Sequence, residues 1–152
     1  MAAVGGVPAT TRVENDRSCR RRIVAEVDVE RIRRETRTLA TDVGFDRRDV
    51  EAILIAVSEL ATNLMRYAPG GELVVSIVSE ANGLGILIQS SDQGPGIVDV
   101  ELALGDGYST GGGLGNGLPG VRRLMDDFTI ASSPSGTSIE AHKWLPCPSQ
   151  SR

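Results

Sequence analysis

Val57-Ser58-Glu59-Leu60-Ala61-Thr62-Asn63-Leu64 lies inside an apolar stripe whose reading decides the rest of the chain. Val50, Ile53, Leu54, Val57, Leu60, Ala61 and Leu64 recur at helical spacing, broadly enough for a buried helix. Asp46 is its expected N-cap and Pro69-Gly70-Gly71 its stop, which places the helix over 47–67. Glu59 and Asn63 stand four apart, so they share one face and lie one turn from each other. Taken alone, such a pair is more simply an exposed polar edge than a site. Two motifs downstream shift the balance.

The first is Asp92-Gln93-Gly94-Pro95-Gly96, directly after an apolar strand. An aspartate at a strand end accepts a hydrogen bond from an amino group on a planar ring. Glycines after it let the backbone pass close to that ring without a Cβ clash. The second is Gly111-Gly112-Gly113-Leu114-Gly115-Asn116-Gly117, opening a helix expected over 118–128. Consecutive exposed amides at a helix N-terminus suit a polyphosphate. Either motif alone is also satisfied by a plain turn or a surface loop. Gly115 to Gly120 further matches the dinucleotide pattern G-x-G-x-x-G, with Glu140 about 20 residues on. That fingerprint needs a buried strand before the first glycine, and Tyr108–Leu114 cannot supply one.

Outward from these motifs, Ile23, Ala25, Val27 and Val29 alternate, which predicts a strand over 23–29. Ile32, Thr36, Leu39, Ala40 and Val43 then predict a helix that Gly44 stops. Leu73–Val78 and Leu84–Ser90 read as strands joined by an Asn82-Gly83 hairpin turn. A short helix is expected near 99–104. Thr129–Ala131 and Ser138–Trp144 form a last hairpin across Pro134-Ser135-Gly136. The order implies an α+β fold, a two-layer α/β sandwich with helices on one face of a mixed sheet. Residues 1–22 are expected as a flexible N-terminal tail, 23–145 as the folded domain and 146–152 as a C-terminal tail.

Composition removes whole classes of function. With 152 residues and a net charge of −4, the chain suits one domain and not a coat for nucleic acid or anionic membrane. Aromatics are 3%, so the core is aliphatic. Lys143 is the only lysine and His142 the only histidine, which excludes a Walker A loop and His-Glu-x-x-His metal chemistry. They also exclude the lysine and His-Arg-Asp loop of a eukaryotic-type protein kinase. Cys19 and Cys147 form no Cys-x-x-Cys pair, and no apolar run reaches a membrane span. A cytoplasmic location is expected. Arg20-Arg21-Arg22 reads as solvated charge leading into a strand. Arg122 and Arg123 read as an exposed helix face rather than as phosphate contacts, Arg66 stays undecided between those two roles, and His142 is read as structural.

Together the three motifs resemble the Bergerat ATP-binding fold of the GHKL superfamily, over residues from about 23 to 145. Glu59 and Asn63 match its N box. Asp92, Gly94 and Gly96 match the first glycine box, and Gly113, Leu114, Gly115, Asn116 and Gly117 the second. Thr137 matches the threonine that supports the adenine end. The runs 56–63, 92–97, 106–110 and 113–126, with Lys143-Trp144, are most similar to RsbT-type serine/threonine switch kinases of bacterial partner-switching systems. The N-terminal extension is longer than in that pattern, and Ser109-Thr110-Gly111-Gly112-Gly113 stands where a further serine is expected.

The resemblance implies ATP and Mg²⁺ as cofactors, with Asn63 supplying the metal's protein oxygen and Glu59 activating the attacking hydroxyl. It implies STAS-domain proteins as phosphorylation substrates, with a PP2C-type phosphatase or a sigma factor as further partners. A nucleotide-gated binding module that holds a sigma factor or activates a phosphatase is the alternative. A sensor-kinase fragment is disfavoured, since no dimerisation helices or phosphoacceptor histidine precede residue 23.

Overall fold

The chain runs β1 (Arg12–Ile23), α1 (Glu26–Val43), α2 (Arg47–Tyr67), β2 (Gly71–Glu80), β3 (Gly83–Asp92), α3 (Leu118–Leu124), β4 (Asp127–Ser133) and β5 (Gly136–Trp144). This is a computed structural model, and it describes residues 12–81, 83–94 and 117–146. The Asp46 carboxylate accepts the Asp49 N–H at 2.9 Å, so α2 starts where the sequence places it. Its other end is closed by the Ala68 N–H on the Leu64 carbonyl at 2.9 Å. Helix α1 ends at Gly44, whose N–H reaches the Ala40 and Thr41 carbonyls.

The sheet order is β1-β2-β3-β5-β4. Alternate strand residues Leu73, Val75, Ile77, Ile86, Ile88, Ile139 and Ala141 join the core with Ile32 and Leu39 of α1 and Ile53, Leu54, Val57 and Leu60 of α2. Fully burying each of the Val, Leu and Ile side chains among these contributes about 1.5–3 kcal/mol relative to exposure. The fold is thus the expected α+β sandwich with its helices on one face. The sheet is not mixed, however: every pairing among the described strands is antiparallel.

The opposite sheet face is covered in part by its own side chains. The Trp144 and His142 rings stack with centroids 5.0 Å apart. The indole lies over Gly85, where a Cβ would come within 2.7 Å of Cε3. Trp144 Nε1–H donates to Asp127 at 2.8 Å, and His142 Nε2 stands 3.6 Å from the Glu80 carboxylate. His142 is therefore tied into the sheet, as its place on a terminal strand suggested.

Three expectations fail at element boundaries. The first strand is Arg12–Ile23, not 23–29, so much of the expected N-terminal tail is an edge strand. The Asp28 carboxylate accepts the Val24 and Ala25 N–H groups, each at 3.0 Å, and this reciprocal cap starts α1 at Glu26. Those same backbone bonds hold its carboxyl below the usual range. Val27 is 53% exposed, so the alternation from Ile23 marked no buried face. Arg20 and Arg21 lie within β1, on Glu72 at 2.7 Å and on Glu35 at 3.2 Å. The third helix stops at Leu124, because the Asp126 N–H bonds the His142 carbonyl at 2.8 Å and Asp127 begins β4. The last hairpin is accordingly longer, Asp127–Ser133 and Gly136–Trp144. The helix expected near 99–104 lies outside the described residues. No described helix is long and apolar enough to cross a membrane.

Candidate active site

Asp92 ends β3, and Thr137, near the start of β5, is its partner in the ladder. The Asp92 Oδ1 accepts the Gly94 N–H at 2.8 Å, which fixes the carboxylate against the turn that follows it. Among the described residues Oδ2 has no partner, and the side chain is half-buried. An acceptor-only oxygen held in this way suits a ligand's amino group. Thr137 is buried, with its Oγ1 2.9 Å from the Ser132 Oγ. Two glycines that sequence reasoning left as turn and hairpin residues shape this corner. A Cβ at Gly136, where φ is +152°, would overlap the Asp92 carbonyl oxygen. A Cβ at Gly71 would meet Leu64 Cδ2 at 2.6 Å and Asp92 Cβ at 3.1 Å. Close strand-end approach is the signal that could have marked them.

The end of α2 forms the adjoining wall. Gly94 lies beside the Ala68 side chain and the Tyr67 carbonyl, since a Cβ there would be 3.2 Å and 3.6 Å from them. Leu64 stands at Gly71, and the residue before it is Asn63. The helix carrying Glu59 and Asn63 is therefore brought against the turn carrying Asp92 and Gly94. Glu59 is 8% exposed, the one carboxylate among the described buried residues. Burying a carboxylate is costly without a specific partner, so its position is not the solvated edge that a lone pair would suggest. Asn63 is half-buried one turn further along.

The described residues contain no cluster of three or more His, Cys, Asp or Glu side chains able to cage a metal. Asn63 offers a neutral side-chain oxygen, a hard donor of the kind Mg²⁺ takes singly when ligand phosphates and waters fill its other positions. Gly117 caps α3, whose Leu118, Pro119 and Val121 are buried, and α3 packs on α2. Arg122 and Arg123 are exposed, in keeping with a helix surface. Gly96, Gly113, Leu114, Gly115 and Asn116 lie outside the described residues.

Residues 24–143 match the family model described as histidine kinase-like ATPase domain. The chain is 46% identical over 132 residues to the serine/threonine-protein kinase RsbT of Bacillus subtilis (strain 168), covering 86% of this chain and 98% of that protein. Among solved structures it is similar to the RsbU and RsbW domains of Rv1364c from Mycobacterium tuberculosis. The TM-score there is 0.61 at 17% identity, over 87% of this chain and 33% of that one, a likeness of fold. The motif residues, the antiparallel sandwich that positions them and these matches agree: the chain belongs to the histidine kinase-like ATPase family.

Proposed function

We propose that this chain is an ATP-dependent protein serine/threonine kinase that phosphorylates a STAS-domain regulator in a bacterial partner-switching pathway. The observation that carries this reading is the 46% identity to RsbT over 98% of that protein, together with the buried Glu59 one helical turn from Asn63.

Phosphoryl transfer needs positioning and charge neutralisation more than covalent chemistry. Asp92 Oδ2 accepts from the adenine amino group, with Thr137 supporting that corner. Gly94 and Gly96 let the backbone approach the base. Gly113, Leu114, Gly115, Asn116 and Gly117 are assigned to the phosphates and to excluding water by their match to the second glycine box. Asn63 would hold Mg²⁺ through its side-chain oxygen, and the metal would supply neutralisation of phosphate charge. Glu59 orients the partner's hydroxyl and takes its proton, a role that contributes about 10²–10⁴-fold to such reactions. The protein works in the cytoplasm, where ATP and such partners meet. Release from the STAS partner leaves it able to engage a PP2C-type phosphatase or a sigma factor.

The test is transfer of label from [γ-³²P]ATP to purified STAS-domain proteins encoded beside this chain. Label on a serine or threonine of one of them supports the reading. Binding without any transfer rejects it in favour of the nucleotide-gated binding module.

A further inference from the structure

Ser132, Thr137 and Asp92 form one row across three strands. Thr137 on β5 is paired with Ser132 on β4 to one side and with Asp92 on β3 to the other. Directly opposed residues share a face of the sheet, with Cβ atoms about 4.5–5.5 Å apart. The next row on that face is Ile130, Ile139 and Ser90, where Ile139 and Ser90 are buried and Ile130 packs against the core. The polar row therefore closes the core at the end where the candidate site lies. The hairpin that carries it is tied from within. The Ser133 Oγ accepts the Ser135 N–H at 3.2 Å and stands 2.9 Å from the Ser135 Oγ.

A hydroxyl has one proton and two lone pairs. The buried Thr137 Oγ1 lies 2.9 Å from the Ser132 Oγ, a distance at which either oxygen could donate. Among the described residues this is the one hydrogen bond of the Thr137 hydroxyl. Charge selects its direction. The Asp92 carboxylate stands across the ladder on the side away from Ser132, and it attracts the positive end of the Thr137 O–H dipole. Ser132 is thus favoured as the donor, and the Thr137 proton turns toward the Asp92 corner.

Building on the kinase reading above, in which Asp92 and Thr137 face the base, we propose that Ser132 is a positioning residue that fixes which way the Thr137 hydroxyl points. Ser132 donates to Thr137 Oγ1, and Thr137 donates in turn to a ring nitrogen of the ligand. With Asp92 Oδ2 beside it, the corner offers an acceptor and a donor side by side. That pair matches a ring with an amino group next to an unprotonated nitrogen, as in adenine. It mismatches a carbonyl next to a ring N–H, as in guanine, on both counts. Without Ser132 the Thr137 hydroxyl rotates and can donate or accept, and only Asp92 still discriminates.

The experiment titrates the full chain by calorimetry with ATP and with 1-deaza-ATP, which keeps the amino group but carries C–H in place of the neighbouring ring nitrogen. Wild type should favour ATP by about threefold to tenfold, the worth of one neutral hydrogen bond. Ser132→Ala should bring the two affinities within about twofold of each other, and Ser132→Thr, which returns a hydroxyl, should restore the preference. A purely structural loss would weaken both ligands alike and leave their ratio unchanged. Ser132→Cys, a weak donor of similar size, gives the same readout where Ser132→Ala does not fold. The wild-type ratio retained in either variant, or no preference in the wild type, overturns the proposal. If this pattern holds but the wild type transfers no phosphate to any STAS-domain protein encoded beside it, the kinase reading fails and the role of Ser132 stands. If transfer proceeds and the ratio ignores Ser132, the reverse holds. No ATP binding by the wild type overturns both.

Discussion

Asp92 and Thr137 are direct partners across the β3–β5 ladder, so the acceptor at the end of one strand and the buried hydroxyl of the next are fixed by backbone register. Neither depends on a flexible side chain finding the other. The corner they form is assembled from residues 45 positions apart in sequence, which the ladder brings side by side.

Asp92→Asn should weaken ATP binding by about tenfold to a hundredfold. The change keeps size but turns an acceptor oxygen into a donor facing adenine's amino group, and an unpaired buried polar group costs about 1–3 kcal/mol. Calorimetry with ATP measures it, and unchanged affinity would remove the assignment.

Gly136→Ala should damage the same corner from outside the motifs. Its Cβ overlaps the Asp92 carbonyl oxygen, and its φ of +152° disfavours a side chain. A loss of about 1–3 kcal/mol in urea unfolding is expected, the range for backbone strain, accompanied by weaker ATP binding. A variant as stable as wild type with intact affinity would show that the hairpin can shift without disturbing Asp92.

Glu59→Ala and Asn63→Ala should fail differently. The first should bind Mg·ATP nearly normally but transfer phosphate about 10²–10⁴-fold more slowly. The second should lose the magnesium dependence of nucleotide binding, since it removes the metal's protein oxygen. Single-turnover transfer beside binding isotherms with and without magnesium separates them. Wild-type transfer by Glu59→Ala would strike the carboxylate from the mechanism.

Replacing Gly113 and Gly115 with alanine should impair triphosphate binding far more than adenosine binding. Equal losses for ATP and adenosine would assign the segment a structural role instead.

The Cys19 thiol is pushed up to about 11, by burial first and by the Glu35 carboxylate second. At pH 8 it is almost entirely protonated, so iodoacetamide should modify it far more slowly in the folded chain than in urea. The folded state favours the thiol and the unfolded chain ionises it earlier. Stability therefore carries this contribution below the unfolded pKa, near 9, and loses it as pH rises through about 11. Denaturation midpoints of wild type and Cys19→Ser across that window test the sign. Parallel curves would show that Cys19 titrates alike in both states.

Helix α2 was legible to the residue, because Asp46, the seven-residue stripe and Pro69-Gly70 all point to the same limits. Strand β1 was not. Arg12–Arg22 offers no apolar alternation, and its place is set by pairing to β2 and by Arg17–Asp42 and Arg21–Glu35 contacts with α1, which a single sequence does not display. The alternation that did appear, from Ile23 to Val29, was overruled by the Asp28 cap. At the site, Glu59, Asn63, Asp92 and Gly94 could be picked out because each sits in a short motif. Gly71 and Gly136 could not, because their importance lies in what approaches them from other strands.

Trp144 is the only tryptophan in the chain, and its ring is pinned over Gly85, against His142 and on Asp127, on the sheet face away from the helices. The protein therefore carries a built-in optical probe. Its emission reports on the packing of β3, β4 and β5 with no label added. Because the indole lies on the side of the sheet opposite Glu59 and Asn63, it does not line the candidate site, and its emission follows unfolding of the sheet. A change in its emission on adding ATP would then mean that the sheet itself responds to ligand.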